Sequence, residues 1–310
     1  MLDFKVVSAI FRKDMRVYLG NPTGYVFITL FIVVAQAVLI LREEFFARGL
    51  ADLATLNEWM SVILMIFVPA LTMNAWADER RSGTDELLLT LPVRDGEVVL
   101  GKYLGILGML TLSLLLTTIG QLSVLSVLGD PDKGLMFSTI AGYWLVGALF
   151  AAIGLMASML TSNTTVAFIL GVVGCLMLVL AGTLPWASGL VGVVLCTLVV
   201  MLVWYAARGT ADWMGLVAAG SAALLGLLWL SRGIAMVTEQ GEEAAAPSAD
   251  GAVESSIGDR FSELFGSLSV TEHFTSFGEG VIRMGDVLYF AGGTALLLYL
   301  CAFLLGRRSW

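Results

Sequence analysis

The sequence predicts an all-α integral membrane protein: a polytopic bundle of six to eight transmembrane helices, with eight favoured. Two observations carry this. The 310 residues are 58% hydrophobic and only 14% charged, with a mean hydropathy of +0.90, whereas soluble domains run at about 45–50% apolar and about 25% charged. Apolar stretches also recur at roughly 20 residues, the length that crosses hydrocarbon. No water is present there to satisfy backbone polar groups, so such stretches must be helices.

In chain order the predicted spans are 22–41, 59–77, 98–128, 138–160, 165–185, 190–206, 213–230 and 287–306. Before the first, "LDFKVVSAIFRKDMRVYL" (2–19) places Phe4, Val7, Phe11, Met15 and Tyr18 on one helical face and clusters Lys5, Arg12, Lys13 and Arg16 elsewhere. A helix with apolar and basic faces suits the membrane surface, and Asn21-Pro22 breaks it from the first span. The third span is long and can begin as an interfacial turn. The fifth to seventh are Gly-rich and closely spaced, so their region either spans or holds re-entrant half-helices. Residues 239–259, acidic and without aromatics, read as a disordered loop. Residues 261–282 regain a pattern (Phe261, Leu264, Phe265, Leu268, Phe274, Phe277, Val281) expected of an amphipathic helix on the outer surface. The resulting organisation is 1–185 with the N-terminal helix, five spans and a charged segment at 78–97; 186–230 as an extra helical pair; 231–286 as the acidic loop and surface helix; and 287–310 as the last span and tail.

Orientation follows from Lys and Arg in the short loops. With the N-terminus inside, eleven basic residues are cytoplasmic (Lys5, Arg12, Lys13, Arg16, Arg80, Arg81, Arg94, Lys102, Arg208, Arg307, Arg308) and six are outside (Arg42, Arg48, Lys133, Arg232, Arg260, Arg283). The expected location is the cell (inner) membrane, multi-pass, with both termini cytoplasmic.

Several activities lose support. The net charge of −8 falls largely within 239–286 and gives no footprint for nucleic acid. Cys175, Cys196 and Cys301 lie in apolar runs and read as buried hydrophobes. "GEVVLGK" (96–102) matches a phosphate-cradling G-x-x-x-x-G-K but lacks the following Ser/Thr and a preceding strand; Lys102 is expected near the cytoplasmic interface. His273 stands alone in the outer loop, as a solvated or surface-helix residue. The expectation is a chain with no cofactor, metal or nucleotide site of its own, and no enzyme activity. Acids are nearly absent from the spans, which argues against an ion-driven secondary transporter. Gln36, Asn74 and Gln121 are the polar exceptions, as interhelical hydrogen-bonding groups or contacts along a substrate path. Gly101, Gly105, Gly108, Gly142, Gly147 and Gly154 allow close helix approach, either within the chain or in a homodimer seam.

The exception to this apolar plan is "DERRSGTDELLLTLPVR", 78–94. Asp78, Glu79, Arg80 and Arg81 close the second span with charge. Ser82 or Thr84 can cap a new helix, "DELLLTL" makes two turns, and Pro92 ends it. Leu87, Leu88 and Leu91 give that stub an apolar face, and Asp95 can cap the next span. An apolar patch in a polar frame points to a protein partner.

This segment resembles the coupling helix of ABC type-2 transporter permeases, E-x-x-x-G-T-x-E-x-L-L-x-x-P-(V/I) followed by a GK-bearing third span. The matching residues are Glu79, Gly83, Thr84, Glu86, Leu88, Leu89, Pro92, Val93, Gly101 and Lys102; Asp85 departs, standing where an apolar residue is common. "EHFTSFGEGVIRMGDVLYF" (272–290) and "FRKDMRVYLGNPTGYVF" (11–27) are similar to the gliding-motility-associated (GldF-like) branch. The resemblance covers about 1–185 and 260–306. It implies a permease that hydrolyses nothing and pairs with a second copy or related permease on cytoplasmic P-loop ATPases. An extracytoplasmic auxiliary protein and membrane lipid are further expected partners. It also implies an elbow role for the N-terminal helix and ATPase coupling through Glu79–Arg81, Gly83–Leu88, Leu91 and Pro92. A mechanical scaffold without substrate flux is the other expectation.

Overall fold

A computed structural model of the chain describes residues 3–41, 53–84, 93–128, 132–181 and 268–306. Among them every regular element is an α-helix. Helix α1, Phe4–Gly20, starts where the Asp3 carboxylate accepts from Lys5 N at 2.9 Å. It stops at Asn21, whose backbone is extended, and Pro22 opens α2, Pro22–Leu41. Proline suits a first helical position, where its missing N–H is not needed. The two axes bend by 73°.

Helices α3, Ala54–Thr72, and α4, Asn74–Ser82, form one 27-residue stretch from Leu56, broken only at Met73. Pro69 lies one turn before the break and lacks an N–H to bond backwards; its carbonyl accepts from Met73 N at 2.9 Å and from Thr72 Oγ1 at 3.1 Å. The span predicted to end at Ala77 thus continues as helix through its charged tail. Helix α5, Asp95–Leu128, has 34 residues, about 51 Å at 1.5 Å per residue, against a hydrocarbon core of about 30 Å. Helix α6, Lys133–Leu160, is capped by Asp132, which accepts from Gly134 N at 2.8 Å. Then come α7, Thr164–Leu180, α8, Val270–Gly278, and α9, Met284–Gly306.

Among the described residues, four stretches are long and apolar enough to cross a membrane: Leu56–Ser82, Asp95–Val127, Lys133–Leu160 and Met284–Gly306. The bent α1–α2 pair makes a fifth if it counts as one span. The expected spans 190–206 and 213–230, the acidic loop 239–259 and residues 261–267 lie outside the described residues.

The chain forms two compact units, Met1–Leu176 with His273–Trp310, and Met177–Glu272. In the second, Thr271 Oγ1 donates to Val179 O at 3.1 Å. In the first, α6 is the central helix, buried along most of its length and packed on α3, α4, α5 and α9. Glycines set the close approaches. A Cβ at Gly147 would stand 2.5 Å from Leu110, and one at Gly154 would stand 3.0 Å from Thr72 Cβ. Gly101 meets Ile10, Gly105 meets Asp14, and Gly108 meets Phe11 and Met15. These glycines therefore serve packing within the chain. Because residues 10, 14 and 15 of α1 meet 101, 105 and 108 of α5 in order, the two helices advance in the same direction.

Candidate functional site

The start of α4 has no side-chain cap of its own, yet the first N–H groups of a helix need partners. Ser158 of α6 supplies one. Its Oγ accepts from Trp76 N at 3.0 Å and Ala77 N at 3.2 Å, and donates to Met73 O at 2.9 Å. Trp76 and Ala77 are fully buried. One turn on, Glu79 meets two ammonium groups. Lys13 of α1 lies 2.9 Å from its Oε1, and Lys102 of α5 lies 2.8 Å from its Oε2. Lys102 is only 3% exposed. Its Nζ also donates to Ala75 O at 2.7 Å and sits 4.8 Å from the centre of the Trp76 ring. Asp14 adds a second carboxylate, 3.9 Å from Lys13. Two lysines and two acids balance to zero where α1, α4 and α5 meet. Tyr18 OH adds a tie from α1 to Leu71 O at 3.2 Å.

The far end of α4 closes at Gly83, in the left-handed region at φ +68, where glycine carries no Cβ penalty. Ser82 Oγ donates to Asp78 O at 2.8 Å and Glu79 O at 3.1 Å, and Thr84 Oγ1 to Glu79 O at 3.4 Å. Both hydroxyls therefore supply donors to the last carbonyls of α4; the helix that they were expected to cap lies outside the described residues. Helix α4 runs on to Ser82, leaving its own last carbonyls in need of donors. Arg81, exposed, lies 3.7 Å from Asp78; Arg80 Nε is buried without a hydrogen-bond partner. Asp85, Glu86, Leu87, Leu88, Leu91 and Pro92 lie outside the described residues.

On the other side of that segment, Glu97 takes the capping role expected of Asp95. Its carboxylate accepts from Arg94 N at 3.2 Å and from Asp3 N, ahead of α1, at 2.8 Å. Both flanks of residues 85–92 are thus pinned to the same N-terminal helix, upstream through Glu79 and downstream through Glu97.

A family model described as ABC-2 family transporter protein matches residues 8–191, more than half of the chain, including the whole Lys13–Glu79–Lys102 junction. The chain belongs to the ABC-2 family. It is a multi-pass membrane protein of the permease kind, and membership implies association with an ABC ATPase subunit. No curated protein matches it.

The structure separates the polar residues of this ABC-2 chain. Gln36 of α2 donates to Thr117 O of α5 at 3.3 Å, in space left by Gly120. Gln36 Oε1 and Gln121 Nε2 are buried without hydrogen-bond partners. Asn74 does not join them. It is exposed at the start of α4, next to the residue that Lys102 reaches, and Lys102 and Thr117 lie about 22 Å apart along α5.

A second cluster had no sequence signal. His273 Nδ1 lies 2.7 Å from Asp286 Oδ1, Ser276 Oγ donates to the other carboxylate oxygen, and the imidazole stacks on Tyr289 at 4.1 Å. His273 is therefore half-buried and paired, not solvated. Residues 273–278 turn an apolar face to α6, while Thr275 is exposed. Phe277 is fully buried and Phe274 is 4% exposed, because Gly142 of α6 leaves them a seat. Ser138 Oγ fixes that seat by donating to Phe277 O at 2.9 Å.

Proposed function

We propose that the chain is the transmembrane subunit of an ABC exporter in the cell membrane, with both termini cytoplasmic. Residues 83–92 form the coupling helix that seats in a groove of a separate cytoplasmic P-loop ATPase. The supporting observation is the position of Glu79: at the root of that segment, it holds α1 through Lys13 and α5 through Lys102. Closure of the ATPase pair displaces the segment, α4 moves with it, and the ion pairs pass the movement to two membrane helices. Alternating access then follows as rigid-body motion of the bundle. A second copy or a related permease completes the pathway, and the likeness of the 272–290 stretch supports a place in the gliding-motility-associated branch.

The test is co-purification of the detergent-solubilised chain with a P-loop ATPase. Wild type retains the ATPase, Leu88→Asp loses it, and Glu79→Gln retains it while losing ATP-driven substrate movement. Retention by Leu88→Asp would refute docking through this segment.

One observation favours a second reading, a scaffold that uses ATP to act on extracytoplasmic partners. The 273–278 helix is anchored to the bundle through Phe274, Phe277 and Asp286. ATPase turnover stimulated by an extracytoplasmic protein, with no substrate flux in sealed vesicles, would select it.

A further inference from the structure

The ion-pair junction uses one face of α1; the adjoining face carries a site of its own. We propose that it binds an anionic phospholipid, with the phosphate on Arg12 and Arg16 and an acyl chain along Phe11, Met15 and Leu19. The proposal rests on the preceding reading for one point, that the N-terminus is cytoplasmic, so that α1 meets the cytoplasmic leaflet.

Of the four basic residues on α1, Lys13 turns inward to Glu79. Arg12 and Arg16 line the adjoining face, are exposed, and form no ion pair among the described residues. They are one turn apart, so their guanidinium groups share a face. Beside them runs an apolar row at the same spacing, Phe11, Met15 and Leu19. The two rows border an open groove of about 500 Å³ that Gly20 completes. Phe11 and Met15 are held from behind by Gly108 of α5, at 3.1 Å and 3.0 Å from a Cβ placed there, so the groove has a fixed wall.

Cationic and apolar rows side by side match a molecule with an anionic head and a hydrocarbon tail. The guanidinium fork suits phosphate oxygens, and basic residues at the cytoplasmic leaflet favour anionic over zwitterionic lipid. A free phosphate would leave the apolar row in water. The site adjoins the charge junction, since Lys13 and Arg16 are three residues apart on one helix.

The experiment is native mass spectrometry of the full chain in detergent, titrated with phosphatidylglycerol or with phosphatidylcholine of the same acyl chains. Wild type is expected to prefer phosphatidylglycerol. R12Q/R16Q should bind it about 30-fold more weakly with phosphatidylcholine unchanged, Leu19→Gln should weaken both lipids, and inorganic phosphate should not displace the bound lipid. Equal binding of the two lipids, or unchanged phosphatidylglycerol binding by R12Q/R16Q, would overturn the proposal. Displacement by inorganic phosphate would show a simple anion site and overturn it too. Should R12Q/R16Q keep its lipid but lose the ATPase, the face belongs to a protein partner and the proposal also fails. Lipid binding is read without ATPase present, so failure here is distinguishable from failure of the coupling reading.

Discussion

Replacing Glu79 by glutamine tests the junction most directly. The carboxylate serves two lysines in different environments. Lys13 is 54% exposed at its side chain, and pairs of that kind are worth about 0–1 kcal/mol. Lys102 is 3% exposed, and removing one partner of a buried pair costs about 3–5 kcal/mol, because a charge is left without compensation. The Ala75 carbonyl and the Trp76 ring remain to Lys102 and moderate that loss. We therefore expect Glu79→Gln to cost about 3 kcal/mol and Lys13→Gln no more than about 1 kcal/mol.

The interaction itself is measured by a double-mutant cycle with Lys102→Met, using equilibrium unfolding in mixed micelles. Removing both charges leaves no unpaired buried ion, so the double variant should be at least about 2 kcal/mol more stable than the sum of the single effects implies. Additivity within about 0.5 kcal/mol would mean that the two residues act independently. That would refute the argument that this pair joins α4 to α5.

Three further outcomes follow from particular contacts. Ser158→Ala strands the Trp76 and Ala77 N–H groups and the Met73 carbonyl, and should cost about 1–3 kcal/mol in the same unfolding measurement. Gly142→Leu puts a Cβ 2.7 Å from that of Phe277; it should cost about 1–3 kcal/mol and raise hydrogen exchange selectively over 273–278. At Gly83 an added Cβ meets nothing within 4 Å but φ is +68, so Gly83→Ala should cost about 1–2 kcal/mol through backbone strain alone. Its effect on partner-stimulated ATPase activity should exceed what that loss of stability explains.

What could be read from the sequence was whatever local pattern encodes. The Asn21-Pro22 break and the long third span are written in a few adjacent residues and in apolar length, whereas α6 starts at Lys133 behind its Asp132 cap, ahead of the expected start at 138. Partner choice across the fold is not written in this way. Glu79 and Lys102 both stand in the family pattern, but nothing in either neighbourhood says that they meet. Gly101, Gly105 and Gly108 fit a seam with any small-residue groove, and only coordinates show α1 lying in it. Ser158 reads as one more small residue of an apolar helix, because a cap supplied by a neighbouring helix leaves no trace at the capped end. His273 misled for the same reason. Its partner Asp286 opens the next helix, where an acid is ordinarily explained by the helix dipole.

These contacts also bear on why the junction is charged. An apolar contact between α4 and α5 would tolerate sliding, because burial is non-directional. A Glu79 carboxylate held by two lysines is satisfied at one register only, and fixing register is the best-attested use of buried polar groups. The other attachments of α4 are specific in the same way: Ser158 binds particular backbone groups, and Lys102 binds the Ala75 carbonyl as well as Glu79. On the proposed coupling, a displacement applied at Gly83 would meet three directional anchors, on α1, α5 and α6, within the nine residues of α4. Only the Lys13 anchor is open to water, so that is the contact able to break and re-form at low cost during a cycle. Lys13→Met should therefore alter the rate of ATP-driven turnover while leaving unfolding within about 1 kcal/mol of wild type. Glu79→Gln should lower both together. If Lys13→Met left turnover unchanged, α1 would be a static brace and the movement would have to pass through α5 and α6 alone.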